Sequence, residues 1–378
     1  VTISESGIEA SGIGITCANI NGGQISGRRN VLFNGAMQVV QRGTSFTDVG
    51  SSSNTFTMDR WKFYIQNSTA RFTVTQDSDS PDEFGGSMKI DCTTADTSLA
   101  STDEVYLEQR IEGQDLQHFA KGTSSAKQYT LSFYAKTTKT GTYIVNLLSR
   151  DNTTGSVSAA YTVSDTNWNR YVITFPADTN SNRKDDNDNG EALRLLWWFV
   201  AGSAVNSGTL NTSWANSSDT GRATGQVNFS DSTSNDFYLT GCQLEVGPQA
   251  SAYEHRSFGD ELALCQRYYE LIAERNEGSN SKENPLGLFW GDGSNFFTQI
   301  PFKVKKRSQP TLDISNYTNA FRAYGTGGGV NVSTMSANSL HRDGMLLEQS
   351  GNPGSSGHTR LYDASGGIRA LVAADSEL

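Results

Sequence analysis

TLSFYAKT (130–137), RYVITFPA (170–177), ALRLLWWFV (192–200) and DFYLTGCQLEV (236–246) decide the fold. Each is rich in β-branched and aromatic residues and is bounded by Gly, Asn, Asp or Ser, and the apolar positions recur with period two. TYIVNLLS (142–149), FTVTQ (72–76), MKIDC (88–92) and VYLEQRI (105–111) extend the pattern. Strand follows strand with no helix-length segment between, which excludes parallel βαβ units. Residues 30–256 are therefore expected to form one all-β domain, an antiparallel jelly-roll sandwich of eight or more strands.

Three further segments flank that domain. Residues 1–29 are Gly/Ser-rich with isolated isoleucines, too little apolar surface to fold alone, and read as a flexible linker or as an extended stalk that packs only against copies of itself. Residues 257–278, SFGDELALCQRYYELIAERNEG, read as one connecting α-helix. Leu262, Cys265, Tyr269 and Ile272 make its apolar stripe, with Leu264, Tyr268 and Leu271 widening it. Asp260 and Glu261 in the first turn and Arg275 near the end suit the helix dipole, and Gly278 suits its end. A stripe that wide needs cover on two sides, from a sheet edge or from symmetry mates of the same helix. From 279 to 378 short strands return, joined by Gly, Ser and Asn turns, and predict a second small C-terminal β-sandwich.

Composition narrows the function. Thirty Lys and Arg against forty Asp and Glu give a net charge of −10. A chain so acidic has no general attraction to phosphate backbones or anionic lipid, so neither nucleic-acid binding nor membrane insertion is expected. The most apolar run, 193–201, is interrupted by Arg194 and is far short of a membrane span. The sequence opens on Val1 without a signal-peptide layout, as expected of a processed form or part of a longer chain. Cys17, Cys92, Cys242 and Cys265 are widely spaced, with no CxxC, and read as single buried thiols of a protein folded in a reducing cytoplasm.

No catalytic constellation is legible. His118, His255, His341 and His358 are isolated, and no HExxH, GxSxG or Walker motif occurs. GTGGGV (325–330) lacks the following helix of a phosphate loop and reads as a turn. Acid pairs such as Glu104 with Glu108, or Glu245 with Glu254, are expected by chance among forty acids. In DTNSNRKDDNDNG (178–190), Asp185, Asn187 and Asn189 match the first three ligands of a calcium loop. Leu196 stands where its bidentate Glu should be, so an EF-hand is excluded; a calcium ion in a sandwich loop is the one cofactor the run suggests. Trp168 and Trp214 lie in polar stretches, and Trp198 is adjacent to Trp197 in one strand, so the two point to opposite faces. Trp168, Trp198 and Trp214 are the candidate sugar-stacking residues, since a ring face packs on C–H surface while amides and carboxylates take hydroxyls.

NVLFNGAMQVVQRGTSF (30–46), MDRW (58–61), LEQRIEG (107–113), NWNRYVITFPAD (167–178), SGTLNTSW (207–214), FYLTGCQLEVGPQASAYEHRSFGDELALCQRYYE (237–270) and ADSEL (374–378) together resemble tail-fibre-like virion proteins of bacteriophages, marine ones especially. The resemblance covers 30–275 well and the last hundred residues loosely. It implies a jelly roll like that of carbohydrate-binding modules, carried on a trimeric stalk and assembled in the host cytoplasm. Tail or capsid proteins would be its partners in the virion and a host surface polysaccharide its ligand. No catalytic residues come with it. The expectation is a homotrimeric virion fibre protein that binds host glycans without catalysis. A purely structural fibre, knob or capsid decoration is the alternative, and a polysaccharide depolymerase a further one.

Overall fold

The computed structural model describes residues 2–4, 7–9, 28–50, 54–216, 219–275, 285–292, 294–315, 321–325, 328–351, 356–361 and 370–378. Within the expected stalk, Thr2–Ser4 pairs with Gly7–Glu9 in a short hairpin; the rest of that segment up to residue 27, Cys17 included, lies outside the described residues.

The first β region is a two-sheet jelly-roll sandwich. One sheet has seven strands in the order Ala215–Asn216, Gly155–Val163, Gly141–Ser149, Glu191–Ala201, Glu104–Glu112, Lys62–Gln66, Asn54–Phe56. The other has six, in the order Asn169–Phe175, Tyr129–Thr137, Asp236–Val246, Ser87–Thr94, Arg71–Asp77, Ser45–Gly50. The strands pair antiparallel, as in Glu104–Glu112 with Glu191–Ala201 and Tyr129–Thr137 with Asp236–Val246. Period-two alternation sends Phe63, Phe72, Phe133, Trp197, Phe199 and Phe237 into one core between the sheets, all fully buried. Phe133 of one sheet meets Trp197 of the other edge-on, centroids 5.7 Å apart, and Trp61 closes on Trp197 at 5.5 Å.

The connecting helix is shorter than its sequence predicts. Ser257 caps it, its Oγ accepting from the Asp260 amide at 3.2 Å, and it runs only over Phe258–Gln266. Tyr269–Arg275 is instead a strand, paired antiparallel with Ala370–Asp375. YYELIAER satisfies both periods, and the ladder offered by Ala370–Asp375 decides between them, tertiary pairing overriding local propensity. The predicted oligomer stripe therefore does not exist as a helix face. Cys265 is buried in the helix, Leu262 half-buried, and Tyr269 and Ile272 sit on the strand. Arg42 stacks on Tyr269 at 3.6 Å, and Arg60 on Tyr268 at 3.4 Å.

Tyr269–Arg275, Ala370–Asp375 and Thr311–Ser315 form a three-stranded sheet. It faces a seven-stranded one ordered Gly328–Asn331, Phe321–Gly325, Ser356–Leu361, Pro285–Gly291, Asn295–Pro301, Gly344–Ser350, Met335–Leu340. Phe296, Ala323, Val332, Leu347 and Val372 are the centre of this second core. Of the glycine run at 325–330, Gly325 pairs with Gly328 across antiparallel strands, and residues 326 and 327 lie outside the described residues. Cys92, Cys242 and Cys265 are buried free thiols, and burial pushes the Cys92 thiol up to about 11. Among the described residues no helix is long and apolar enough to cross a membrane.

Candidate functional site

The outward face of the six-stranded sheet carries a built patch around one tyrosine. In Asp236–Val246, Phe237 and Leu239 are fully buried, so Tyr238 between them points outward. Register places Lys136 opposite Tyr238 on one neighbouring strand and Lys89 opposite it on the other. The two ammonium groups lie 5.0 and 5.6 Å from the Tyr238 centroid. Trp168, at the mouth of Asn169–Phe175, approaches the same ring edge-to-face at 6.2 Å and is itself half-buried.

Carboxylates fix these groups. Trp168 Nε1 donates to Asp79 Oδ1 at 2.8 Å, and Lys136 Nζ pairs with Asp79 Oδ2. These two hydrogen bonds, Lys136 first, hold the Asp79 carboxyl below its ordinary value. Lys89 Nζ meets Asp236 Oδ1 at 3.1 Å. Asp91 lies directly opposite Asp236, and burial, reinforced by that neighbouring charge, raises its carboxyl. Two orientated rings thus stand among three carboxylates and two ammoniums on a partly exposed surface. The arrangement suits a polyhydroxylated ligand: rings for its C–H face, charged groups for its hydroxyls. Asp91 and Asp236 sit side by side on one sheet face.

The other sequence-predicted residues go elsewhere. Trp198 is not ligand-facing. It points out of the seven-stranded sheet, as alternation requires, but is fully buried in a satellite core with Tyr106, Leu196, Val205 and Ala223. The segment after Glu191–Ala201 folds back over it, with Arg222 at 5.2 Å from its ring. Trp214 is half-buried against the main core, its Nε1 donating to the Pro176 carbonyl at 2.7 Å. In the acidic loop, buried Asp185 pairs with Lys121, which is fully buried on its side-chain atoms. Asn189 Nδ2 donates to the Arg307 carbonyl at 2.6 Å, and Asn187 has a left-handed backbone with φ of 59°. Asp185 and Asn189 are thus engaged in protein contacts, and among the described residues no three His, Cys, Asp or Glu side chains converge as metal ligands. Desolvation raises the Asp185 carboxyl to about 6 despite Lys121.

Sequence reading alone misses Tyr238, Lys136, Lys89 and Asp79. Alternation in DFYLTG points Tyr238 outward, but the register that sets two lysines beside it is a property of the folded sheet.

No known family model matches the chain, and no curated protein matches it in sequence. Solved structures resemble it in part. One is the enzymatically active domain of tailspike protein 4 of bacteriophage CBA120, 14% identical with a TM-score of 0.30, covering 57% of this chain and 21% of that one. The chain thus matches about a fifth of the length of that domain. Others are a family 11 carbohydrate-binding module from Clostridium thermocellum, solved with a β-1,3-1,4-mixed-linked tetrasaccharide, and the C-terminal family 22 module of Xyn10B from the same organism. Both are 12% identical, with TM-scores of 0.26 and 0.29, covering 56% and 55% of this chain and 99% and 98% of theirs. At these TM-scores the likenesses decide no function; only the chain's own residues can carry one.

Proposed function

We propose that this chain is a non-catalytic glycan-binding protein of a bacteriophage appendage, recognising a host surface polysaccharide through the Trp168–Tyr238 patch. The observation that carries the binding reading is the pinned, half-exposed Trp168 beside Tyr238, flanked by Lys136 and Lys89. Stacking on the rings and hydrogen bonds to Asp79, Asp91, Asp236 and the lysines would supply recognition with no bond broken. The resemblance of residues 30–275 to virion fibre proteins supports the phage setting and a homotrimer. The helix stripe lends the trimer no support, since Cys265 and Tyr269 are buried within the chain. A trimer would multiply weak sugar contacts through effective concentration.

The test is adsorption of purified protein to host cells and titration with host surface polysaccharide, wild type against W168A and Y238A. Loss of binding in both variants with folding intact is the expected result. Equal binding by all three proteins would remove the patch from the function. New reducing ends in the polysaccharide would replace binding with cleavage.

A further inference from the structure

The C-terminal β region carries a cavity that the jelly-roll patch does not involve. Its volume is about 540 Å³, within the range of small-ligand sites. It crosses the outward faces of four adjacent strands, Pro285–Gly291, Asn295–Pro301, Gly344–Ser350 and Met335–Leu340. Three strand spacings separate its walls, roughly 14 Å.

One wall is an exposed tryptophan. Trp290 is 48% exposed, and its ring lies against that of cross-strand Phe297, 28° from parallel with centroids 5.9 Å apart. Phe297 backs the indole and fixes its orientation while leaving it open to solvent. The other wall is polar: Ser339 Oγ and His341 Nε2 are hydrogen-bonded to each other at 2.9 Å, and Gln299 is exposed at the cavity edge. Buried Ile300 and Met345 lie in the lining between the two.

We propose that this cavity is a second glycan-binding site, taking a neutral oligosaccharide with one hexose ring stacked on Trp290. A protein partner with an apolar face would bury the Gln299 amide without partners and leave the Ser339–His341 pair only its mutual bond, at a cost of about 1–3 kcal/mol for each unsatisfied buried group. A sugar satisfies both walls, since its C–H face suits the indole and its hydroxyls donate and accept. Asp343, the carboxylate of the lining, is paired with Lys305 at 3.3 Å in an exposed ion pair, so the lining carries no buried charge that calls for a charged sugar. The site does not depend on the Trp168 reading. With both occupied, one chain would grip a polymer at two points.

Indole N–H resonances of the full chain, assigned through W290A and W168A, report the two sites separately. The probe is a panel of neutral α- and β-linked hexose tetrasaccharides at millimolar concentration. A panel member should shift the Trp290 resonance, the shift should persist in W168A, and Q299A should weaken it about tenfold, or 1.4 kcal/mol. If no panel member moves Trp290, the proposal fails. It fails also if Trp290 answers only to protein concentration, with a rise in mass by light scattering that W290A abolishes, for then the face binds a second copy of the chain. Response at Trp290 without response at Trp168 upholds this site on its own.

Discussion

Arg267 grips Glu112 with two parallel hydrogen bonds, Nε to Oε1 at 2.9 Å and Nη2 to Oε2 at 2.7 Å, and Glu112 is fully buried. Tyr268 donates its hydroxyl to the same carboxylate. The pair fastens the residues just past the helix to the first sandwich, where the chain turns into the second. R267A removes the ion-pair partner of buried Glu112, leaving it the Tyr268 and Gln114 hydrogen bonds, and should cost about 3 kcal/mol, with R267K intermediate because an ammonium cannot make the fork. Denaturant unfolding of the three proteins checks this, and an unchanged midpoint in R267A would show the grip to be dispensable.

Trp198 and Trp168 should separate stability from binding. W198A empties a fully buried site and should cost about 3–5 kcal/mol. W168A, at a half-exposed position, should cost about 1 kcal/mol while removing polysaccharide binding. Thermal melts and adsorption assays on the same preparations read both quantities. A W198A protein as stable as wild type would contradict the satellite core.

Asp59 gives a pH signature. Its burial raises the carboxyl to about 6, although Arg42 and two hydrogen bonds from Gln41 oppose the shift. A folded value above the unfolded one means the folded state takes up the proton first. This contribution is complete below about pH 4 and lost as pH rises through about 6. D59N does not titrate, so its stability relative to wild type should improve from pH 4 to pH 7, by roughly 3 kcal/mol at most. Arg42 keeps Asp375 and Glu377 as partners in the variant. A stability difference that stays flat across this range refutes the assignment.

Calcium should leave the protein unchanged. Lys121 holds Asp185 Oδ1, so its ammonium would repel an ion bound at that carboxylate, and Asn189 is turned with its Nδ2 on a backbone carbonyl. Titration calorimetry and melting temperature with and without millimolar calcium check this. A saturable heat abolished by D185N would show that the loop rearranges to hold the ion.

The strands at 130–137, 192–200 and 236–246 are legible because each alternates between a core that rewards Phe, Leu and Trp and an outer face that does not. Residues 269–275 are not legible as a strand, since Tyr269, Leu271 and Ala273 alternate as well as the helical stripe repeats. The contact that settles the matter, Ala370–Asp375, arrives about a hundred residues later. Adjacency in one strand points Trp198 away from Trp197, but the local pattern holds no sign of the cover that Val205 and Ala223 lay over it. Trp168 stands out through its polar surroundings; its partners Asp79 and Tyr238 do not, being 89 and 70 positions away.

By itself the sequence determined the all-β class, the antiparallel pairing and the direction in which most strand side chains point. These follow from period-two burial, which each strand encodes locally. Only the tertiary structure decided where the helix stops, which outward tryptophan stays open, and which side chains meet around Tyr238. Those depend on strand register and on what folds over each face, and both are fixed by contacts between residues far apart in the chain.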